Sequence, residues 1–85
     1  MNISRAEQRV LHALAQGGCI SRLHDDRGRI AQVLCFTRDG HFLSDCDLIV
    51  FNKLQRKRLI ESKGSSPYRI SHVGRLSVRS QLDNR

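Results

Sequence analysis

The most apolar run in this chain is four residues long, Leu48-Ile49-Val50-Phe51, and Asp47 and Asn52 close it on either side. A bilayer core needs about 20 such residues in a row, so no segment reads as a membrane span. A chain punctuated this often must assemble its interior from several short elements, each giving one apolar stripe or face to a shared core. With 85 residues the expectation is one domain, residues 1–85. There is no Trp, and the rings are Phe36, Phe42, Phe51 and Tyr68, so Leu, Ile and Val must supply most of that core.

Local signals divide the chain into helices and hairpins. Ser4 followed by Glu7 is a capping-box pair, and Arg5 to Gln16 is rich in helix formers. Ala6, Val10, Ala13 and Leu14 fall on one side at helical spacing and are expected inward. Gly17-Gly18 ends the helix, because glycine accepts the left-handed conformation of a C-terminal cap. Cys19–His24 and Ile30–Phe36 read as strands joined by Asp25-Asp26-Arg27-Gly28, an antiparallel hairpin. After a turn at residues 37–40, His41-Phe42-Leu43 extends briefly. A second helix is expected at about Cys46 to Lys57, capped by Ser44 or Asp45. Leu59–Ser62 and Tyr68–Ile70 flank the only Gly/Ser/Pro cluster, Gly64-Ser65-Ser66-Pro67, and form a second hairpin. Ser71 can cap a last helix running to about Leu82. On that helix Val73 and Leu76 mark one face and Val78 and Leu82 nearly the opposite one, which leaves a homodimer through Val78 and Leu82 open. The expected class is α+β: three helices with two β-hairpins.

The charge is unevenly placed. Residues 1–50 carry six bases and six acids, whereas residues 51–85 carry nine bases against Glu61 and Asp83, so the whole net charge of +7 belongs to the second part. Such a field attracts an anionic partner, either nucleic acid or an acidic protein surface. On the second helix Val50, Phe51 and Leu54 gather inward, while Ile49, Asn52, Lys53 and Arg56 recur at i, i+3, i+4 and i+7 on the outward face. Arg56, Lys57 and Arg58 close the helix, where cations suit the negative end of its dipole.

Catalytic chemistry finds no support. Structural zinc draws on closely spaced Cys or His pairs, and Cys19, Cys35, Cys46 and the histidines offer none. Three cysteines in apolar surroundings read as buried thiols. Cys46 stands between Asp45 and Asp47, whose carboxylates raise a thiol's pKa and make it a poor nucleophile. His72 reads as a surface or capping residue, and Gly17-Gly18 lacks the Gly-Lys-Ser/Thr continuation of a phosphate loop. The N-terminus has no apolar signal region, so a cytoplasmic location is expected. No cofactor is expected.

The order helix, Leu59-Ile60, polar hairpin, Tyr68-Arg69-Ile70-Ser71 and Gly74 resembles the closing part of winged-helix domains. There a helix fits the DNA major groove and a basic hairpin reaches flanking phosphates. Asn52, Lys53 and Arg56 have the chemistry for base edges or phosphates, and Lys63 and Arg69 lie where a wing meets the backbone. The interval before the second helix, however, carries strand and turn signals where a helix-turn-helix needs a supporting helix. Ile49, central on the outward face, suits a protein interface at least as well as a thymine methyl.

A specific resemblance then emerges. Ser4-Arg5-Ala6-Glu7-Gln8-Arg9, Leu11-His12, Leu14-Ala15, Gly17-Gly18, Arg27-Gly28-Arg29, Asp45-Cys46, Leu59-Ile60, Pro67-Tyr68-Arg69-Ile70 and terminal Gln81-Leu82-Asp83-Asn84-Arg85 together resemble the YjhX family of small bacterial proteins over essentially the full length. The resemblance implies the toxin of a toxin–antitoxin pair, an inhibitor of DNA topoisomerase I, with an acetyltransferase-like antitoxin as partner. It implies no catalytic residue. Asp47 and Ser65-Ser66 depart from the family pattern and bear on partner choice. Two readings follow: an inhibitor that docks on a DNA-processing enzyme, or a regulator that contacts duplex DNA directly.

Overall fold

A computed structural model describes residues 3–44 and 46–83, with side chains described up to Arg79. Three helices and two antiparallel sheets appear in the order α1 (Arg5–Ala15), β1 (Cys19–His24), β2 (Ile30–Phe36), β3 (Phe42–Leu43), α2 (Leu48–Arg56), β4 (Ile60–Glu61), β5 (Arg69–Ile70) and α3 (His72–Asp83). The fold is α+β, with β1-β2-β3 in one sheet and β4-β5 in the other. The first hairpin is thus widened by a third strand, where Phe42 and Leu43 pair with Phe36 and Cys35.

Both ends of α1 follow from local chemistry. The Glu7 N–H donates to Ser4 Oγ and the Ser4 N–H donates to Glu7 Oε1, each at 3.2 Å, which satisfies two orphan donors reciprocally. At the other end Gly17 takes φ 108. Gly18 is held for space, because a Cβ there would strike the Phe36 carbonyl oxygen and lie 2.9 Å from that of Ala13. The inward stripe is Glu7, Val10, Leu11 and Leu14. Leu11 therefore takes the core position expected of Ala13, which is only half-buried. The β1–β2 turn is closed by Asp25, whose Oδ1 accepts from the N–H groups of Arg27 and Arg29 at 2.9 and 3.0 Å.

Helix α2 starts two residues later than its composition suggests. Asp47, in an extended conformation, is its cap, and its Oδ1 accepts from Val50 N–H at 2.9 Å. Ser44 lies in the preceding turn, and Asp45, the other expected cap, lies outside the described residues. Cys46 is released from the helix into the core with Cys35. The two thiols are hydrogen-bonded; this contact lowers the pKa of Cys35, and the same contact together with burial raises that of Cys46. All three cysteines are free thiols, Cys19 half-buried.

The core runs through all the layers: Val10, Leu11 and Leu14 of α1, Ile20, Val33 and Cys35 of the sheet, Phe51 and Leu54 of α2, then Leu59, Ile60, Tyr68, Ile70 and Val78. Val78 faces this core, so it cannot serve the dimer contact left open above, and the Leu82 side chain lies outside those described. It is Val73 and Leu76 that α3 turns outward. The start of α3 is fixed by Ser71, whose hydroxyl accepts from Gly74 N–H at 3.0 Å and donates to the Arg58 carbonyl at 2.7 Å. Gly74 packs so closely that a Cβ would collide with the Leu59 carbonyl oxygen and sit 2.7 Å from Ile70 Cγ1.

One ion pair ties the first turn of α1 to the end of α2. Lys57 Nζ meets Glu7 Oε2 at 2.8 Å, with Glu7 only 2% exposed and Lys57 27%. Burial pushes the Glu7 carboxyl up, but the Lys57 ammonium and the backbone and hydroxyl donors of Ser4 outweigh it and hold the pKa below its ordinary 4.5. A carboxylate whose pKa is lower folded than unfolded adds stability at neutral pH, and that stability fades as pH falls through the folded value.

Two outcomes are expected from urea unfolding. Glu7→Gln, which keeps the capping-box acceptor, lowers stability at pH 7 by about 1–2 kcal/mol, and the gap from the parent narrows as acid protonates the parent's carboxylate, whose folded pKa lies below its ordinary value. Gly74→Ala destabilises despite alanine's roughly 1 kcal/mol advantage in helices, because relieving a backbone collision costs about 1–3 kcal/mol or more.

Candidate partner-binding face

The inward commitment of Val50, Phe51 and Leu54 decides what α2 shows to solvent. Ile49, Asn52, Lys53 and Arg56 are all exposed on one face, as their spacing requires, and Ile49 is 65% exposed. A single exposed aliphatic side chain is ordinary on a protein surface; what sets Ile49 apart is its place on the same face as Asn52, Lys53 and Arg56. Lys53 and Arg56 also border an open groove of about 590 Å³ that continues past Lys57 to Ile3, Ser4 and Glu7 at the start of α1. The face is therefore cationic along one flank, apolar near its first turn, and concave beside its last.

The remaining basic residues divide by what they touch. Lys57 is committed to Glu7 and serves the fold. Arg58 follows the helix with φ 61, the one non-glycine residue at positive φ among those described. Its N–H donates to the Gln55 carbonyl and that of Leu59 to the Leu54 carbonyl, each at 3.0 Å. This paired arrangement usually has glycine at the left-handed position, where a side chain costs about 1–2 kcal/mol. Arg58 itself is exposed beside Arg56 and Lys57 at the end of the face.

The β4–β5 hairpin stands next to this helix end. Ile60 pairs with Ile70 and Glu61 with Arg69, and the connection carries Lys63 at its exposed tip. Arg69 is exposed but tied down: its Nη1 donates to the carbonyls of Gly17 and Gly18, in the turn after α1, at 3.2 and 3.4 Å. A second groove, of about 320 Å³, runs between this hairpin and α3 and is lined by Glu61, Lys63, Ser66, Pro67, Arg69, Ile70 and Arg75. Ile49, Asn52, Lys53, Arg56 and Arg58 thus share α2 and its cap, Lys63 stands apart on the hairpin tip, and Lys57 and Arg69 act within the fold.

Two positioning residues have no signature in the chain order. Arg22 of β1 lies 4.8 Å from the centre of the Tyr68 ring and donates to the Gly64 carbonyl at 3.1 Å, bracing the hairpin from the side. Gln55 Nε2 donates to Tyr68 Oη at 3.1 Å, linking α2 to the same ring. Both partners are distant in sequence, and only the aromatic Tyr68 beside a turn hinted at a junction. Among the described residues no group of three His, Cys, Asp or Glu side chains is placed to hold a metal, and no helix is long and apolar enough to cross a membrane.

Comparison with known proteins supplies a family. A UPF0386 protein of Beijerinckia indica subsp. indica is 73% identical over 85 residues, covering the whole of both chains. One from a Ruegeria species is 62% identical over 85 residues with the same complete coverage. Another, from Caulobacter vibrioides, is 56% identical over 85 residues, all of this chain and 93% of that one. No solved structure matches. The family model for YjhX toxins, described as "Putative toxin of bacterial toxin-antitoxin pair", matches residues 1–85, and the chain belongs to that family.

Proposed function

We propose that this chain is a binding toxin without catalytic chemistry of its own, which acts by docking the outward face of α2 on a DNA-processing enzyme, DNA topoisomerase I. The observation that carries this reading is Ile49, 65% exposed on the same face as Asn52, Lys53 and Arg56. Phosphate contacts call for cations and hydrogen-bond donors. An aliphatic anchor among cations and beside a groove instead suits a protein surface carrying acids around an apolar pocket. The family's place in toxin–antitoxin pairs agrees with inhibition of a cellular target and implies an antitoxin. An acetyltransferase-like antitoxin follows from the resemblance alone.

Direct binding to duplex DNA is the second reading, favoured by Lys63 on the hairpin tip beside a helix carrying Lys53 and Arg56. In support of a winged-helix kinship, β1 joins the β4–β5 hairpin through an antiparallel bridge between Ile20 and Tyr68. The element before α2 is a sheet rather than a supporting helix, which weakens the case for conventional groove docking.

Topoisomerase relaxation assays, pull-downs with the enzyme and duplex binding over a salt series separate the two. On the inhibitor reading relaxation slows and the enzyme is retained, whereas tight duplex binding that weakens steeply with salt, with the enzyme unaffected, selects the DNA reading. Replacing Lys53 and Arg56 together by Ala leaves the fold intact and weakens binding roughly tenfold or more; full activity in a folded variant rejects the face. Arg58→Gly gains about 0.5–1 kcal/mol of stability by relaxing the left-handed residue yet loses affinity. Thermal melts and binding curves on one preparation reveal this opposition, and unchanged affinity removes Arg58 from the face.

A further inference from the structure

We infer that the outer face of the three-stranded sheet is a docking surface for a second copy of this chain, separate from the α2 face. The strand register places residues 19, 21, 23, 32, 34, 36 and 42 on one side of the sheet. The opposite side sends Ile20, Val33 and Cys35 into the core, against α2 and its neighbours. On the outer side Phe42 is 58% exposed and Leu23 46%, with Leu34 and Phe36 half-buried between them. The rings of Phe36 and Phe42 meet edge to face at 6.3 Å, forming one continuous apolar surface across two strands. Antiparallel sheets normally alternate apolar inside with polar outside. This one carries Leu23, Leu34, Phe36 and Phe42 on its outer face too, with only Ser21 and Gln32 as uncharged polar side chains among them.

Charge selects the occupant. None of the seven outer positions carries a charged side chain, in a chain whose net charge is +7. Among the described residues, the other exposed large apolar side chains are bordered by cations: Ile49 shares its face with Lys53 and Arg56, and Val73 and Leu76 alternate with Arg75 and Arg79. A second basic copy is repelled at those places, while a partner selected by charge gains nothing at the uncharged sheet. The sheet face is therefore the surface where this chain can meet itself without like charges opposed, by packing two apolar sheet faces around a two-fold axis. The sheet separates this surface from α2, so the pair keeps both α2 faces open.

Sedimentation equilibrium of the full chain tests the proposal up to millimolar concentration. The expected result is a monomer–dimer equilibrium that tightens as salt rises from about 0.1 to about 1 M, since screening relieves the repulsion between two +7 chains. Phe42→Glu raises the dimer dissociation constant at least tenfold while circular dichroism and the melting temperature stay those of a folded chain; Leu23→Glu, on another strand, does the same. Val73→Glu leaves it unchanged. A strictly monomeric chain, a dimer that dissolves on adding salt, or one broken by Val73→Glu but not by Phe42→Glu or Leu23→Glu, each overturns the assignment.

Discussion

The backbone pairing of Ile20 with Tyr68 is the contact on which the arrangement of this domain turns. Each N–H donates to the other residue's carbonyl, at 2.9 Å for Ile20 N–H and 2.8 Å for Tyr68 N–H, and this reciprocal pair of hydrogen bonds joins the larger sheet to the β4–β5 hairpin. A hairpin with two paired residues on each strand is marginal alone. Here it gains a third strand at one point and an aromatic anchor at the same residue. The Tyr68 ring packs edge-on against Phe51 at 4.9 Å and 90°, its hydroxyl accepts from Gln55, and Arg22 covers its other side. One residue thereby fixes the hairpin relative to both α2 and β1. The geometry of the proposed face depends on that fixation, since Lys63 travels with the hairpin while Lys53 and Arg56 travel with the helix.

A second junction sets where α2 ends. Arg58 adopts a conformation that favours glycine, and its carbonyl is then captured by the Ser71 hydroxyl, which also caps α3 through Gly74. The reversal between α2 and the hairpin is consequently locked from both sides, by the helix's own C-terminal bonds and by the next helix's cap. Tertiary capture of this kind is what lets a bulky residue remain at positive φ. It also explains the absence of Cβ at Gly74: the α3 backbone must approach Leu59 closely for Ser71 to reach Arg58.

Features set by neighbouring residues were legible in the chain order. The Ser4–Glu7 cap, the Gly17-Gly18 stop, both strands of the first hairpin and the outward set on α2 all rest on contacts or periodicities within a few residues. The α2 cap was misplaced because Ser44, Asp45 and Asp47 are all competent cap residues in one short stretch; what excluded an earlier start is the burial of Cys46, a tertiary fact. Glu7 had a complete local role in its capping box, which gave no reason to look for Lys57, 50 positions away. Arg69 likewise reads as a wing cation until the Gly17 and Gly18 carbonyls are seen beside it. Long side chains can satisfy distant backbone or charge from an exposed position, and neither periodicity nor composition encodes that reach.

The division of charge and the division of structure coincide. The electrically balanced part of the chain builds α1, the three-stranded sheet and the start of α2, and the +7 part supplies the exposed cations of α2, the hairpin and α3. Charges on a protein surface act over about 8 Å at physiological salt. A partner approaching α2 or the hairpin therefore responds to many cations at once, whereas the outer sheet face offers uncharged, mostly apolar contact. The three-stranded sheet that precedes α2 follows the same logic. A helix there would have packed one stripe inward and shown a polar one to solvent. A sheet can bury one face and offer a second, flat and uncharged, and this chain has filled that second face with Leu23, Leu34, Phe36 and Phe42.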